Sequence, residues 1–101
     1  ILVAKYDVFP SPSGDGYVLD VEADLLSDLN TRVVVPLLAE SRAPTPATRL
    51  NPTFDIEGQS VIMVTQFMAA VPTAILKYSV GSLSEEFDTV TTAVDMLMQG
   101  F

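Results

Sequence analysis

The sequence predicts an antiparallel α+β or small-barrel domain that ends in a single helix. Several short apolar segments, joined by turns of hairpin length, alternate between apolar and polar residues as β-strands do. Only the last twenty residues repeat apolar residues at steps of three and four, as an amphipathic helix does. A chain of 101 residues accommodates one such domain, which we expect to span residues 1–101.

Six segments fit the strand pattern. They are residues 1–9, 17–23, 31–38, 53–57, 60–67 and 73–80, of which the fourth and fifth form a hairpin that turns at Gly58 and Gln59. The loop of residues 10–16 is rich in Pro and Gly, so we expect it to be exposed. Pro36 interrupts the apolar third strand and indicates an edge or a bulge, because proline donates no ladder hydrogen bond.

The predicted helix covers residues 82–101. Its apolar stripe consists of Phe87, Val90, Val94, Leu97, Met98 and Phe101. Ser82 and Glu85 have the spacing of a capping box, and Gly100 is a typical helix stop. We expect residues 87–94 to pack on the core. Met96, Met98 and Phe101 lie near the end of the sequence, where they suit an adaptable protein–protein contact.

The composition limits the kinds of partner. The net charge is −8, and the five basic residues are scattered, which disfavours direct binding to nucleic acid or to anionic membranes. A hydrophobic fraction of 49% is high for so small a monomer and indicates an apolar face buried against a partner, with a homodimer as the default. We find neither a signal peptide nor a membrane-spanning segment, so we expect a cytoplasmic protein.

The residues offer few routes to catalysis or to a cofactor. The chain has no His and no Cys, which excludes His-based triads, thiolate nucleophiles and the metal sites that these residues build. The series Asp20, Glu22, Asp24 and Asp28 lacks the twelve-residue loop of an EF-hand calcium site. We interpret it, including Asp20 and Glu22 as a carboxylate pair, as a solvated acidic edge. We therefore expect no metal site, no cofactor and no enzyme.

Arg32 stands alone at the head of the apolar third strand. With a hydroxyl such as that of Thr31 or Thr65, it could stabilise the charge that develops in phosphodiester transfer. The alternative, which the acidic surface favours, is an ion pair with Asp24 or Asp28.

Four blocks of the sequence resemble the CcdB family, the toxin half of bacterial toxin–antitoxin modules. The blocks are residues 17–26, 32–37, 68–72 and 93–101, and their order and spacing are similar to those of the family. The resemblance implies an SH3-like barrel sheet, a small extra sheet, one C-terminal helix and a homodimer. It also implies a non-enzymatic role in plasmid maintenance: the dimer binds the A subunit of DNA gyrase and traps its cleaved-DNA complex, until a partner antitoxin removes it.

The resemblance assigns residues to three surfaces. Gyrase contacts fall on Ala23, Leu25, Leu26, Asp95, Met98, Gln99, Gly100 and Phe101. Antitoxin contacts fall on Phe9, Pro10, Ser11, Asp15, Asp20, Glu22, Asp24 and Asp28, and the acidic members suggest an antitoxin tail that carries basic residues. Dimer contacts fall on Met96, Leu97 and Phe101.

One position departs from the family pattern. Family members end in Trp-Gly-Ile, and the Trp stacks on an arginine of gyrase, whereas Gln99 stands here at that place. Glutamine has no ring face, so a cation–π contact of about 1–2 kcal/mol is lost, and Phe101 replaces it only if the helix end shifts. Two alternatives therefore stay open: a CcdB-like protein that binds antitoxin but has lost gyrase poisoning, and an mRNA-cleaving toxin on the related fold that uses Arg32.

Overall fold

The protein is a curved antiparallel sheet with one helix packed against it. The structure is a computed structural model that describes residues 3–24 and 29–100. Within these residues the strands are β1 (Asp7–Pro10), β2 (Tyr17–Asp20), β3 (Thr31–Ala39), β4 (Thr53–Ile56), β5 (Gln59–Met63), β6 (Ala69–Pro72) and β7 (Gly81–Ser82). The helix α1 (Phe87–Gln99) follows β7.

The strand order confirms the predicted fold class. The order is β4-β5-β3-β2-β1-β7, every pairing is antiparallel, and the sheet curves nearly into a closed barrel. The strand β6 pairs with the first half of β3 as a branch of the main sheet, so the expected small extra sheet is not a separate sheet among the described residues. The domain is therefore α+β, with a barrel-like sheet and a C-terminal helix.

The strand β3 divides the interior into two cores, because alternate side chains of a strand point to opposite faces of the sheet. Val35 and Leu37 enter the larger core, which α1 covers through Val90 and Ala93. Val34 enters the smaller core on the other face. Both faces of β3 are covered, which explains why its sequence is almost continuously apolar.

Pro36 lies where one ladder of β3 is interrupted. Along one edge β3 pairs with β2, and along the other it pairs with β5 and β6, which a short 3₁₀ turn at Thr65–Phe67 separates. The carbonyl of Pro36 accepts a hydrogen bond from the N–H of Val64 (2.9 Å) at this interruption. The nitrogen of Pro36 points to the same edge, so its missing N–H costs no ladder bond.

The predicted hairpin is present as β4 and β5. Its loop consists of Glu57 and Gly58, whose φ angles of 52° and 80° are those of a two-residue type I′ turn. The turn therefore begins one residue earlier than the predicted Gly58–Gln59. The hydroxyl of Tyr17 donates a hydrogen bond to Oε1 of Glu57 (2.8 Å), which fixes the turn to β2.

The predicted last strand is wrong. Residues 73–80 form a 3₁₀ turn at Thr73–Ile75 and then an irregular segment, and the strand that follows, β7, consists only of Gly81 and Ser82. Leu76 anchors this segment, because its side chain is buried in the smaller core.

The predicted helix start is also wrong, whereas the predicted end is confirmed. Ser82 belongs to β7, and its hydroxyl accepts a hydrogen bond from the N–H of Ser84 (3.1 Å), so the capping box does not form. A 3₁₀ turn at Ser84–Glu86 precedes α1. Gly100 ends the helix with a φ of 81°, and its N–H donates to the carbonyl of Met96.

The helix contacts the core through fewer residues than its stripe predicts. Val90 and Ala93 are buried, and Val94 is partly buried against them. Phe87 is 51% exposed, so its predicted place in the core is wrong. The second half of α1 consequently carries apolar side chains that residues 3–24 and 29–100 leave exposed.

Two glycines of the loop between β1 and β2 test how this loop packs on β3. Both have positive φ, but a Cβ at Gly16 would clash with the carbonyl oxygen of Leu37, whereas a Cβ at Gly14 meets no atom within 4 Å. We predict that Gly14→Ala lowers the free energy of unfolding by about 1 kcal/mol, through backbone strain alone. Gly16→Ala is predicted to lower it by about 3 kcal/mol, because the clash adds to the strain. Urea denaturation followed by circular dichroism measures both, and equal losses would contradict the packing of this loop on β3.

Candidate functional site

Arg32 is the centre of a buried ion cluster. Its side chain is 1% exposed, and its Nε and Nη2 donate to the two carboxylate oxygens of Asp20 at 2.7 and 2.9 Å. Its Nη2 also donates to the carbonyl of Glu22 (3.2 Å). Oε2 of Glu22 lies 3.5 Å from Nη1, and Oδ1 of Asp24 lies 3.6 Å from Nη2. One guanidinium therefore organises three carboxylates of residues 20–24.

The register of β2 and β3 creates this cluster. Asp20 is paired with Val34, and Arg32 precedes Val34 by two residues, so both charged side chains point to the same face of the sheet. The planar fork of the guanidinium fits a carboxylate with two parallel bonds. Burial raises the pKa of Asp20 above its usual value, and the bonds from Arg32 act in the opposite direction. The hydrogen bond with Asp20 raises the pKa of Arg32.

This geometry corrects two interpretations of the sequence. The solvated acidic edge is wrong for Asp20, which is 0% exposed, and for Glu22, whose side chain is almost fully buried. The expected ion pair of Arg32 forms mainly with Asp20, while Asp24 is a more distant partner and Asp28 lies outside the described residues. The guanidinium of Arg32 is buried and donates hydrogen bonds to Asp20 and Glu22, so the structure gives no support to a role of Arg32 in phosphodiester transfer.

A strained turn lies beside the cluster. Residues 4–7 form a turn in which the N–H of Asp7 donates to the carbonyl of Ala4 (3.0 Å), and Tyr6 has a φ of 76°. A type II turn needs such a φ at its third residue and normally has Gly there, so Tyr6 costs about 1–2 kcal/mol. Two carboxylates hold the turn: Oδ2 of Asp7 accepts the N–H of Ala4 (3.0 Å), and Oδ1 of Asp24 accepts the N–H of Lys5 (2.7 Å).

The turn and the segment 21–24 border the middle of α1. Lys5 and Val21 line a cavity of about 110 Å³ together with the helix residues Val90, Thr91, Val94 and Asp95. Met98 and Gln99 follow Val94 and Asp95 by one helical turn and continue the same face of α1. One side of the molecule therefore combines the N-terminal turn, the segment 21–24 and this face of the helix. We call it the helix end.

The described members of the predicted gyrase set are exposed. Asp95 lines the cavity at the helix end, Ala23, Gln99 and Gly100 are exposed, and Met98 is 63% exposed. Leu25, Leu26 and Phe101 lie outside the described residues. The structure thus brings Val21, two residues before Ala23, beside Val94 and Asp95 of α1, although the two segments are far apart in sequence.

The predicted antitoxin set divides into buried and exposed residues. Phe9 is buried in the smaller core, as Asp20 is in the ion cluster, so neither side chain offers a contact surface. The exposed or partly exposed members are Pro10, Ser11, Asp15 and Asp24, while Glu22 is mostly covered and Asp28 lies outside the described residues.

A groove adjoins the exposed members of the antitoxin set. Ser11, Ser13 and Asp15 border this space of about 320 Å³, whose lining also contains Val18, Pro36, Leu38 and Arg42. Asp15 and Arg42 form an ion pair of 3.0 Å at its rim, and both side chains are exposed. Sequence reasoning did not identify this groove, because Leu38 on β3 and Arg42 in the turn after β3 are far in sequence from Ser11 and Asp15.

The predicted dimer residues lie on the second half of α1. Met96 is partly buried, Leu97 is 36% exposed, and Phe101 lies outside the described residues. Among residues 3–24 and 29–100, no three acidic side chains are grouped in a way that could hold a metal ion. The helix of this part of the chain is too short to cross a membrane.

The fold and this site define a small α+β domain with a barrel-like sheet and an exposed helix end. A family model described as CcdB protein matches residues 5–100, which is nearly the whole chain. The chain therefore belongs to the CcdB family, and this membership suggests a toxin of a toxin–antitoxin module. A comparison with curated proteins finds no match.

Two arginines test the energetic role of the cluster. We predict that Arg32→Met lowers the free energy of unfolding by about 3–5 kcal/mol, because it leaves the buried Asp20 without its partner. Arg42→Met removes an exposed ion pair and is predicted to change the free energy of unfolding by less than about 1 kcal/mol. Urea denaturation at neutral pH measures both variants. Equal stability of the two variants would contradict the assignment of Arg32 as a buried anchor.

Proposed function

We propose that the protein is the toxin of a type II toxin–antitoxin module that binds the A subunit of DNA gyrase and traps its cleaved-DNA complex. Membership of the CcdB family supports the toxin class. The observation that favours a protein target is the helix end, where Met98 is 63% exposed beside Asp95, Gln99 and Gly100. Flexible methionine side chains adapt to a partner surface, and the left-handed Gly100 gives the chain a sharp exit from the helix.

The proposed mechanism is capture without catalysis by this chain. Gyrase itself cleaves and reseals DNA, so a bound protein that prefers the cleaved state shifts the population of the enzyme toward it. The size of this shift is limited by the difference between the two affinities. The net charge of −8 makes direct contact with the DNA backbone unfavourable, which is why we place the contact on the gyrase protein.

We propose a separate surface for the antitoxin. The groove beside the loop of residues 10–16 has an apolar lining from Val18, Pro36 and Leu38, which suits an extended segment of a partner. Asp15 lies at its rim, and the whole chain is strongly acidic, so a basic antitoxin tail would be attracted to it. Phe9 and Asp20 take part only by shaping the sheet beneath this surface.

The proposed toxin is a homodimer that acts in the cytoplasm, where gyrase and its DNA are. The exposed Leu97 on the second half of α1 and the hydrophobic fraction of 49% support a second copy as the cover of this part of the helix. A dimer also places two helix ends in one particle, so a target with two binding sites would be bound with higher avidity.

Gln99 decides how tightly gyrase is bound. We predict that Gln99→Trp strengthens the binding of the gyrase A subunit by about tenfold, since a cation–π contact contributes about 1–2 kcal/mol and 1.4 kcal/mol is a factor of ten. Isothermal calorimetry with this purified gyrase chain measures the change. Gln59→Trp, at an exposed residue of β5, is the matched control and should leave the affinity unchanged.

The calorimetry separates the open alternatives. Binding by the wild type that Gln99→Trp strengthens supports the proposal. Binding by Gln99→Trp alone would identify a family member that has lost its gyrase contact. Absence of binding by both proteins would contradict gyrase as the target.

A second pair of substitutions tests the proposed dimer. We predict that Leu97→Asp gives a monomer at micromolar concentration, because a carboxylate would be buried in an apolar interface. Phe87→Asp, at an exposed apolar residue of the first turn of the same helix, should leave the dimer intact. Light scattering gives the mass of each protein, and a dimer in both would place the interface elsewhere.

A further inference from the structure

Asp24 connects the buried ion cluster to the surface of the helix end. Its side chain is 63% exposed, yet its Oδ1 accepts the N–H of Lys5 at 2.7 Å and lies 3.6 Å from Nη2 of Arg32. An exposed carboxylate is normally free to move in solvent, since a surface ion pair alone contributes little. Here the backbone N–H of Lys5 and the fixed guanidinium restrain the same oxygen.

The bond from Asp24 fixes two segments that regular secondary structure does not hold. Lys5 lies in the turn that precedes β1, and Asp24 lies beyond the end of β2. The segments are already paired once, because the N–H of Tyr6 donates to the carbonyl of Asp20 (2.8 Å). The contact of Asp24 with Lys5 adds a second attachment further along both segments, and two attachments define their relative orientation.

These segments supply one side of the cavity at the helix end. Lys5 and Val21 line it opposite Thr91, Val94 and Asp95 of α1. The position of Lys5 depends on the bond from Asp24, and Val21 precedes Asp24 by three residues. A loss of the bond would therefore release this side of the cavity, while the helix side would stay in place through Val90 and Ala93.

The backbone conformation of Tyr6 independently indicates that bonds from outside the turn of residues 4–7 hold it in place. Its φ of 76° is unfavourable for a residue with a Cβ, so the turn relaxes unless outside bonds maintain it. Backbone strain of this kind is frequent at binding surfaces, where it keeps a segment in the bound conformation. Asp24 provides one of the outside bonds, through the residue next to Tyr6.

We propose that Asp24 is a positioning residue: it holds the N-terminal turn and residues 21–24 in the arrangement that the partner of the helix end binds. A surface that is ordered before binding loses less conformational entropy when the complex forms, so its affinity is higher. The identity of that partner as the gyrase A subunit rests on the proposed function. Asp24 acts through the backbone of Lys5, and its own carboxylate need not touch the partner.

Three variants of the full chain test this role. Asp24→Ala removes the acceptor, Asp24→Asn keeps an oxygen that accepts the N–H of Lys5, and Asp55→Ala removes an equal charge from an exposed residue of β4. Amide hydrogen exchange by NMR reports on Lys5 and on residues 21–24. Calorimetry reports the affinity for the gyrase A subunit.

The expected result is specific to the acceptor. In Asp24→Ala the amide of Lys5 exchanges about tenfold faster or more, because it loses its hydrogen bond, and the affinity for the gyrase A subunit falls by a similar factor. Asp24→Asn keeps both values within about threefold of the wild type, because the amide oxygen replaces the carboxylate as acceptor. Asp55→Ala matches the wild type in both measurements.

Two results would overturn the proposal. If the amide of Lys5 exchanges at the same rate in Asp24→Ala as in the wild type, Asp24 does not hold the turn. If it exchanges faster but the gyrase A subunit binds unchanged, the bond does not position the binding surface. If the wild type itself does not bind this gyrase chain, the proposed function fails, and amide hydrogen exchange becomes the test of the inference about Asp24. Faster exchange at Lys5 and residues 21–24 in Asp24→Ala, but not in the other two variants, supports the inference. Unchanged exchange in Asp24→Ala overturns it.

Discussion

The bidentate ion pair between Arg32 and Asp20 is the interaction on which the arrangement of the other parts depends. Neither charge has access to water, so each is tolerated only because the other is held at hydrogen-bond distance. That requirement fixes the register of β2 against β3 and also fixes where β2 ends. The same guanidinium also donates a hydrogen bond to the carbonyl of Glu22 and pairs with the carboxylate of Asp24. A buried charge inside the sheet thereby determines the path of the chain at its surface.

The central strand β3 connects this pair to the two sides of the protein. On one face, its side chains form the larger core with α1, and on the other they form the smaller core and the ion cluster. The helix covers only the larger core, and only with residues of its middle turns. Thr91, Val94 and Asp95 of α1 line a cavity with Val21, which belongs to the segment that Arg32 positions. The sheet and the helix therefore produce one surface with contributions from three separate parts of the sequence.

The sequence predicts those features that local rules determine. The hairpin of β4 and β5 follows from alternation on both sides of Gly58, although its turn begins one residue earlier than predicted, and the C-terminus of α1 follows from Gly100. The burial of Asp20 and Arg32 did not follow, because alternation alone assigns charged residues to solvent, whereas both continue the inward face of Val18 and Val34. The capping-box signal of Ser82 failed because this residue is used in β7, paired with Asp7. The four blocks of family resemblance assigned residues on α1 and in the segment 21–24 to a common surface, but the sequence did not indicate that Lys5 lies beside α1.

We propose that the helix end captures gyrase while its DNA is cleaved. The most direct measurement incubates gyrase, supercoiled plasmid and ATP with increasing amounts of the wild-type protein. Detergent and protease then release the DNA, and gel electrophoresis measures the linear form. Our account predicts that linear DNA increases with the concentration of the protein. An amount of linear DNA equal to that without the protein, at concentrations well above micromolar, would contradict it.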